Sequence, residues 1–282
     1  MSRSMFIPKQ LPKITGETLQ KLTDNVTNAL AGDILPHLPE LTSTTIFHDN
    51  GCGSGSMTEE VIASDPPTGL KIIATDNNTT LFRHLKSKLA KHGDWPVMAS
   101  EVDPAELYFP DESIDISYTG FALDNHPDAI GAAKHIWRTL KPGGTAAVAV
   151  WTEKPWIKAL TKAHYSTRGA DAPLPPRLAR DQVNDTQLVQ NIVRDAAWEN
   201  VEFIEKEAWI EQDCFCTWSR WAWGYYGEPA GGWTQYDEDR WDDAQDVVVA
   251  EMEMGEIEGW FVEEEDVIER VRVKALVAVG QK

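Results

Sequence analysis

Between Thr44 and Trp151 the apolar positions fall into short clusters separated by longer amphipathic stretches. Thr44-Thr45-Ile46-Phe47, Leu70 to Thr75 and Thr145 to Trp151 have the length and the β-branched or small apolar content of strands. The stretch opening Ser56-Met57-Thr58-Glu59-Glu60 reads as a helix start, with a hydroxyl cap and early acids. Such alternation predicts a parallel sheet with helices on both faces. Before it, Leu19, Leu22, Val26, Leu30 and Ile34 keep helical spacing within residues 9 to 38. After it, Asp185 to Trp198 is an amphipathic helix with Leu188, Ile192, Val193 and Ala196 as its stripe, and Val201 to Ile210 and Val271 to Val279 read as strands.

Two segments break this plan: 156–184 follows the fifth strand, and 213–266 separates the last two. The second holds Trp218, Trp221, Trp223, Tyr225, Tyr226, Trp233, Tyr236, Trp241 and Trp260 among many acids. It reads as a satellite core with some rings left for a substrate. Asp237, Glu238, Asp239, Asp242, Asp243 and Asp246 match a solvated helix face and no EF-hand loop, so no metal is expected.

Charge narrows the choice of partner. A formal net charge of −19 argues against nucleic acid and against an anionic membrane surface, leaving small molecules. Neither a transmembrane run nor a signal-like apolar core is read, so a cytoplasmic protein is expected, of undecided oligomeric state. Of the three cysteines, Cys52 lies in a glycine loop, and Cys214 and Cys216 are expected as half-buried strand residues.

That loop carries the chemistry. Asp49-Asn50-Gly51-Cys52-Gly53-Ser54-Gly55 follows the first strand. Glycines at every second position admit a ligand against bare backbone. The spacing is not that of a dinucleotide loop, and no Lys-Ser or Lys-Thr closes a P-loop. Asp49 would repel a pyrophosphate and suits an amine. A cationic amine, an adenosine and no phosphate describe S-adenosylmethionine. Asp76, ending the second strand, is spaced to accept from both ribose hydroxyls.

At this point the chain resembles the class I S-adenosylmethionine-dependent methyltransferases. Asp103-Pro104-Ala105-Glu106-Leu107 through Ile114-Asp115 is similar to the segment leading into that family's fourth strand, and Leu140-Lys141-Pro142-Gly143-Gly144 to the turn before its fifth. Gly120-Phe121, His126-Pro127-Asp128-Ala129 and Trp151 resemble small fungal secondary-metabolite methyltransferases, with the gliotoxin bis-thiomethyltransferase similar in layout. Departures are His48 on the first strand, Pro104, Tyr108, and Asn77-Asn78 where an apolar residue often packs on adenine.

The resemblance implies a Rossmann-like α/β sheet of seven strands, the last antiparallel, with a helical and aromatic cap insertion. It implies an N-terminal helical cover over residues 1–40, a cofactor-binding core over 41–151 and a remainder over 152–282 holding the two insertions. Cofactor contacts are implied for Asp49, Asn50, Gly51, Cys52, Gly53 and Gly55 of the loop. Further contacts are implied for Asp76 and Asn77, for Val102 and Asp103 at the adenine, and for Gly120 and Phe121. Phe121, Trp151 and Trp156, near strand ends, are the candidate substrate residues. His126 is the candidate base, with His164 weighed beside it and His48 read as a core residue.

Methyl transfer to an O, S or N atom of a small aromatic or heterocyclic metabolite is the expected reaction. The alternative is a repurposed fold that catalyses a cyclisation or rearrangement, or serves as a non-catalytic partner subunit.

Overall fold

The computed structural model describes residues 6–22, 26–124, 126–182, 187–212, 214–253, 260–262 and 269–282. In chain order the elements are α1 (Gly16–Leu22), α2 (Val26–Ile34), β1 (Ile46–Asn50), α3 (Ser56–Ala63), β2 (Lys71–Asp76), α4 (Thr79–Leu89) and β3 (Val97–Glu101). There follow β4 (Ile114–Gly120), α5 (Ala129–Thr139), β5 (Leu140–Glu153), α6 (Trp156–Arg168), α7 (Pro176–Asp181) and α8 (Leu188–Asp195). The chain closes with β6 (Val201–Gln212), α9 (Phe215–Tyr226), α10 (Gln235–Asp239), α11 (Trp241–Glu253), β7 (Trp260–Val262) and β8 (Glu269–Gln281).

The main sheet runs β3-β2-β1-β4-β5-β8-β6, with short β7 paired to β8. β1 to β5 are parallel, and the last strand is antiparallel. The order reverses at β1 and β4, and ligands of open α/β sheets bind at the carboxyl ends beside such a reversal. β1 is fully covered from Phe47 onward, as a central parallel strand should be.

Two compact units divide the chain: one holds 25–152, 185–208 and 274–282, the other 1–24, 153–184 and 209–273. In the sheet unit, Ala132, Ala133 and Ile136 of α5 and Val189, Ile192 and Val193 of α8 pack on Ala146, Val148, Val150 and Ala278. Trp198 stacks on Trp137 and donates through Nε1 to the Ala133 carbonyl at 3.0 Å. On another part of the sheet, Phe82 and Leu85 of α4 cover Ala74 and Cys52. Asn78 caps α4 by accepting from Thr80 N and Leu81 N.

In the other unit α6, α9 and α11 pack together with α1 on α9. Trp218, Trp223 and Trp241 are 2% exposed or less. These rings are core residues that α9 and α11 share with α6 and α1. Arg168 lies over the rings of Trp223 and Trp233 and donates through Nε to Asp237 Oδ1 at 2.8 Å, while Nη1 donates to His164 Nδ1 at 3.1 Å. His164 also donates from Nε2 to the Ala172 carbonyl.

Several sequence expectations change. Cys214 and Cys216 are not strand residues: Cys214 caps α9 and is disulfide-bonded to Cys216 in its first turn. Asp237 and Glu238 leave the solvated face. Asp237 closes a capping box with Thr234, and Glu238 accepts from Lys9 N at 2.8 Å. No hydroxyl caps α3: left-handed Gly55 is its cap residue. The Leu140 to Gly144 segment is the irregular start of β5, its register shifting against Ile114 and Ile116. Asp185 and Trp260's side chain lie outside the described residues, and α8 starts at Leu188. Among the described residues no helix is long and apolar enough to cross a membrane.

Candidate active site

Asp49, one residue before the end of β1, is 2% exposed. Its Oδ2 accepts from Thr58 N at 3.0 Å and Thr58 Oγ1 at 2.6 Å, so α3 holds the carboxyl from below. Burial pushes its pKa to about 7; the Thr58 hydrogen bonds oppose the rise and the Asp76 charge adds to it. A carboxyl in that condition is stabilised in its charged form by a cation placed beside it.

The loop beyond is strapped to β2. Gly51 N and Cys52 N both donate to the Thr75 carbonyl, at 2.7 and 2.9 Å. Gly53 N donates to Asp76 Oδ2 at 2.7 Å and Asn78 N to Oδ1 at 2.5 Å. Gly51 and Gly53 have φ of 69° and 54°, a region costly to residues with a Cβ. A Cβ on Gly51 would collide with that of Ala122, which shows how closely the β4–α5 loop approaches. Asp76 is 7% exposed, and burial raises its pKa against the pull of those two backbone donors.

Not every loop side chain faces outward. Asn50 is fully buried between Thr75 Oγ1 and Thr119 Oγ1, and Cys52 packs on Ala74, Phe82 and Leu85. Both side chains serve the interior.

Asp103 is the third acid. Oδ1 accepts from Ala105 N at 2.8 Å and His126 Nε2 at 3.0 Å, and Oδ2 accepts from Asn77 Nδ2 at 2.6 Å. Burial alone would raise its pKa, but the Ala105, His126 and Asn77 hydrogen bonds together hold it below the usual carboxylate value. His126 Nδ1 accepts from Asp128 N at 3.1 Å, so the ring proton is on Nε2 and both nitrogens are engaged. Val102 is buried beside it, and Val102 N donates to the Asp76 carbonyl.

At the end of β4, Phe121 takes a φ of 57° and donates from N to the Ala149 carbonyl at 2.8 Å. Left-handed backbone at a bulky residue is strain that surrounding structure must impose. Its ring stacks on Trp151 with centroids 3.8 Å apart and planes 15° apart. Trp151 N is held by Asp124 Oδ2 at 2.8 Å.

The structure thus gathers Asp49, Gly51, Gly53, Asp76, Asn77, Asp103, His126, Gly120, Phe121 and Trp151 at or just beyond the carboxyl ends of β1, β2, β3, β4 and β5. Trp156 belongs to the other unit, 5% exposed and edge-on to Trp218. Sequence reasoning passed over Thr58, Tyr118 and Asp124. Thr58 was legible as a hydroxyl one turn into the helix after the loop. Tyr118, two residues before Gly120, is an aromatic whose same-face neighbour lacks a side chain.

A sheet of this order with an acid and glycine loop at its switch point is the class I methyltransferase fold. The chain belongs to the ubiE/COQ5 methyltransferase family, whose profile matches residues 33–196. S-adenosylmethionine is the methyl donor of that family. A demethylmenaquinone methyltransferase of Lactococcus lactis is 26% identical over 168 residues, which are 54% of this chain and 66% of the relative. The chain spans 66%, 31% and 64% of the length of three of the curated relatives it matches. The YcgJ protein of Bacillus subtilis shares the fold at TM-score 0.57 and 15% identity, over 90% of this chain and 98% of that one. So does phosphoethanolamine N-methyltransferase 2 of Haemonchus contortus, in complex with phosphomonomethylethanolamine and S-adenosylhomocysteine. Its TM-score is 0.52 and identity 14%, over 90% of this chain and 53% of that one.

Proposed function

We propose that this protein transfers the methyl group of S-adenosylmethionine to an O, S or N atom of a small planar acceptor. The observation that carries the reading is the set of three carboxylates held by α3, the loop backbone and His126 around bare glycine. Its chemistry suits this donor: buried Asp49 is short of a cation and would take the ammonium, Asp76 the ribose diol, and Asp103 with Asn77 the adenine edge. The donor itself supplies an already activated sulfonium methyl. The chain's part is to orient the acceptor and exclude water, which can yield several powers of ten in rate.

His126 fits a positioning role better than that of a base, since Nε2 donates to Asp103 and Nδ1 accepts from Asp128. An acceptor that ionises readily or is a neutral amine needs no base, which favours thiols, phenols and amines. The Phe121–Trp151 stack supports a flat ring as acceptor. The resemblance of Gly120-Phe121, the His126 to Ala129 segment and Trp151 to small fungal secondary-metabolite methyltransferases supports a role in secondary metabolism. A quinone ring, named in the Lactococcus relative, is planar too.

Calorimetric titration with S-adenosylmethionine and S-adenosylhomocysteine tests the donor. Micromolar binding that weakens at least about tenfold in Asp76→Ala, as loss of a charge-assisted pair of roughly 1.5–3 kcal/mol requires, is the expected result. Unchanged affinity in Asp76→Ala would remove that residue's role. Thiol, phenol, amine and quinol acceptors are then scored by mass spectrometry for the gain of one CH2 unit. A product of unaltered mass would instead indicate a rearrangement.

A further inference from the structure

The central strand β4 carries an aromatic that the cofactor motifs leave unused. Tyr118 is 4% exposed and in register with Asp49 of the adjacent parallel strand. In-register residues of neighbouring strands point to the same face of a sheet, so Tyr118 shares the face on which Thr58 holds Asp49. The ring runs forward along its own strand: a Cβ on Gly120 would collide with the Tyr118 hydroxyl, Cε1 and Cζ. The hydroxyl therefore ends beside the Gly120 Cα. Continuing the register of β1 and β4 by two places puts Gly120 level with Gly51, the first glycine of the loop. This accounts for Gly120, where any side chain would displace the phenol.

A second carboxylate belongs to the same corner. Asp124 follows β4 closely, and its Oδ2 accepts from Trp151 N at 2.8 Å, which ties the loop to the end of β5. Burial first, then the Asp49 and Asp124 charges, push the Tyr118 hydroxyl far above its ordinary pKa. The phenol is thus a neutral dipole at every working pH and no base.

We propose that Tyr118 and Asp124 join Asp49 in an electronegative corner for the methionyl end of the donor, one that prefers its cationic sulfonium to the neutral thioether of the product. The assignment rests on the methyl-donor reading of this site and adds discrimination to it. Asp49 serves the ammonium that donor and product share. The Tyr118 oxygen and the Asp124 carboxylate act on the charge that only the donor carries, so transfer of the methyl removes part of what holds the ligand. Such a corner limits product inhibition.

Tyr118→Phe keeps the ring over Gly120 and removes only the hydroxyl. Asp124→Asn keeps an acceptor for Trp151 N and removes only the charge. Each is titrated with S-adenosylmethionine, with S-adenosylhomocysteine, and with sinefungin, which carries an ammonium where the donor carries its sulfonium. Thermal melts confirm folding, and the two variants are read independently. The expected result is a loss of about 3- to 10-fold for the two cationic ligands and less than about 2-fold for the thioether. The product inhibition constant relative to donor KM should fall in step. Equal losses for all three ligands, or none in either variant, would overturn the assignment. Wild-type protein that binds none of the three would instead defeat the methyl-donor reading itself.

Discussion

His48 and Asp49 are consecutive residues of one buried strand, and they titrate in opposite senses. Burial lowers the His48 pKa from 6.5 to about 3 and, with its other causes, raises that of Asp49 from 3.8 to about 7. From pH 6.5 down to about 3 the unfolded chain protonates His48 and the folded chain does not, so stability falls as pH falls. From pH 3.8 up to about 7 the folded chain keeps a proton on Asp49 that the unfolded chain has lost, so stability falls as pH rises. Each slope approaches about 1.4 kcal/mol per pH unit, and over the shared window they oppose. Relative to wild type, Asp49→Asn should therefore steepen the acid loss of stability, while His48→Gln should reverse its sign. Urea denaturation of the three proteins at several pH values decides this; parallel curves would refute it. Strand alternation made part of this legible, since it puts Asp49 on the face opposite His48 and Asn50. It did not say that His48 would be satisfied by Thr75 and Ser117, or Asn50 by Thr119, because those partners come from other strands.

The same carboxyl governs ligand binding. An ammonium beside Asp49 favours its charged form, so binding below pH 7 must release a proton. Donor affinity should fall by up to about tenfold per pH unit below that point and level off above it. Calorimetry in buffers of different ionisation enthalpy would read the released proton directly. 5′-Methylthioadenosine, which lacks the amine, should show none of this dependence, and neither should Asp49→Asn. If the thioether nucleoside follows the same pH curve, Asp76 or another group is responsible.

At the scale of elements, strand, loop and helix were legible where local chemistry dictates them. Glycine at 51 is required twice over, by a φ of 69° and by the approach of Ala122. Gly51→Ala should destabilise the protein by about 1–3 kcal/mol. It should also cost donor affinity more than Gly143→Ala, where φ is equally positive but nothing lies within 4 Å of the added carbon. Equal effects of the two changes on affinity would show that the loop matters only for folding. What failed to read from sequence depended on distant partners. The register shift that draws Leu140 to Gly144 into β5 is set against β4. The place of Cys214 follows from α9 beginning one residue later. The tryptophans around α9 and α11 gave their apolar weight in sequence but not the contacts of Trp233, in the loop before α10, with Trp223 and Trp241, nor the Arg168 over Trp223 and Trp233.

For the molecule as a whole, the division of the chain was the least legible feature. α1 packs on α9 and α2 on α3, in different units. No periodicity within residues 9 to 38 carries that information, because it resides in which face a remote helix leaves open. Net charge, by contrast, is a property of the sequence alone, and it makes a claim about rates. At −19 the protein attracts cations over distances beyond contact. S-adenosylmethionine carries two positive charges and one negative, whereas S-adenosylhomocysteine carries one of each. The association rate of the donor should therefore fall several-fold between about 10 and 150 mM salt, as the screening length shortens from about 30 to 8 Å. That of the product should stay nearly constant. Stopped-flow measurement on both ligands separates this long-range effect from the short-range preference assigned to Tyr118 and Asp124. The first resides in the association rate and is screened by salt. The second resides in dissociation and survives it, because the corner is buried. Equal salt dependence for the two ligands would mean that the acids lie away from the mouth of the site and that only the corner tells donor from product.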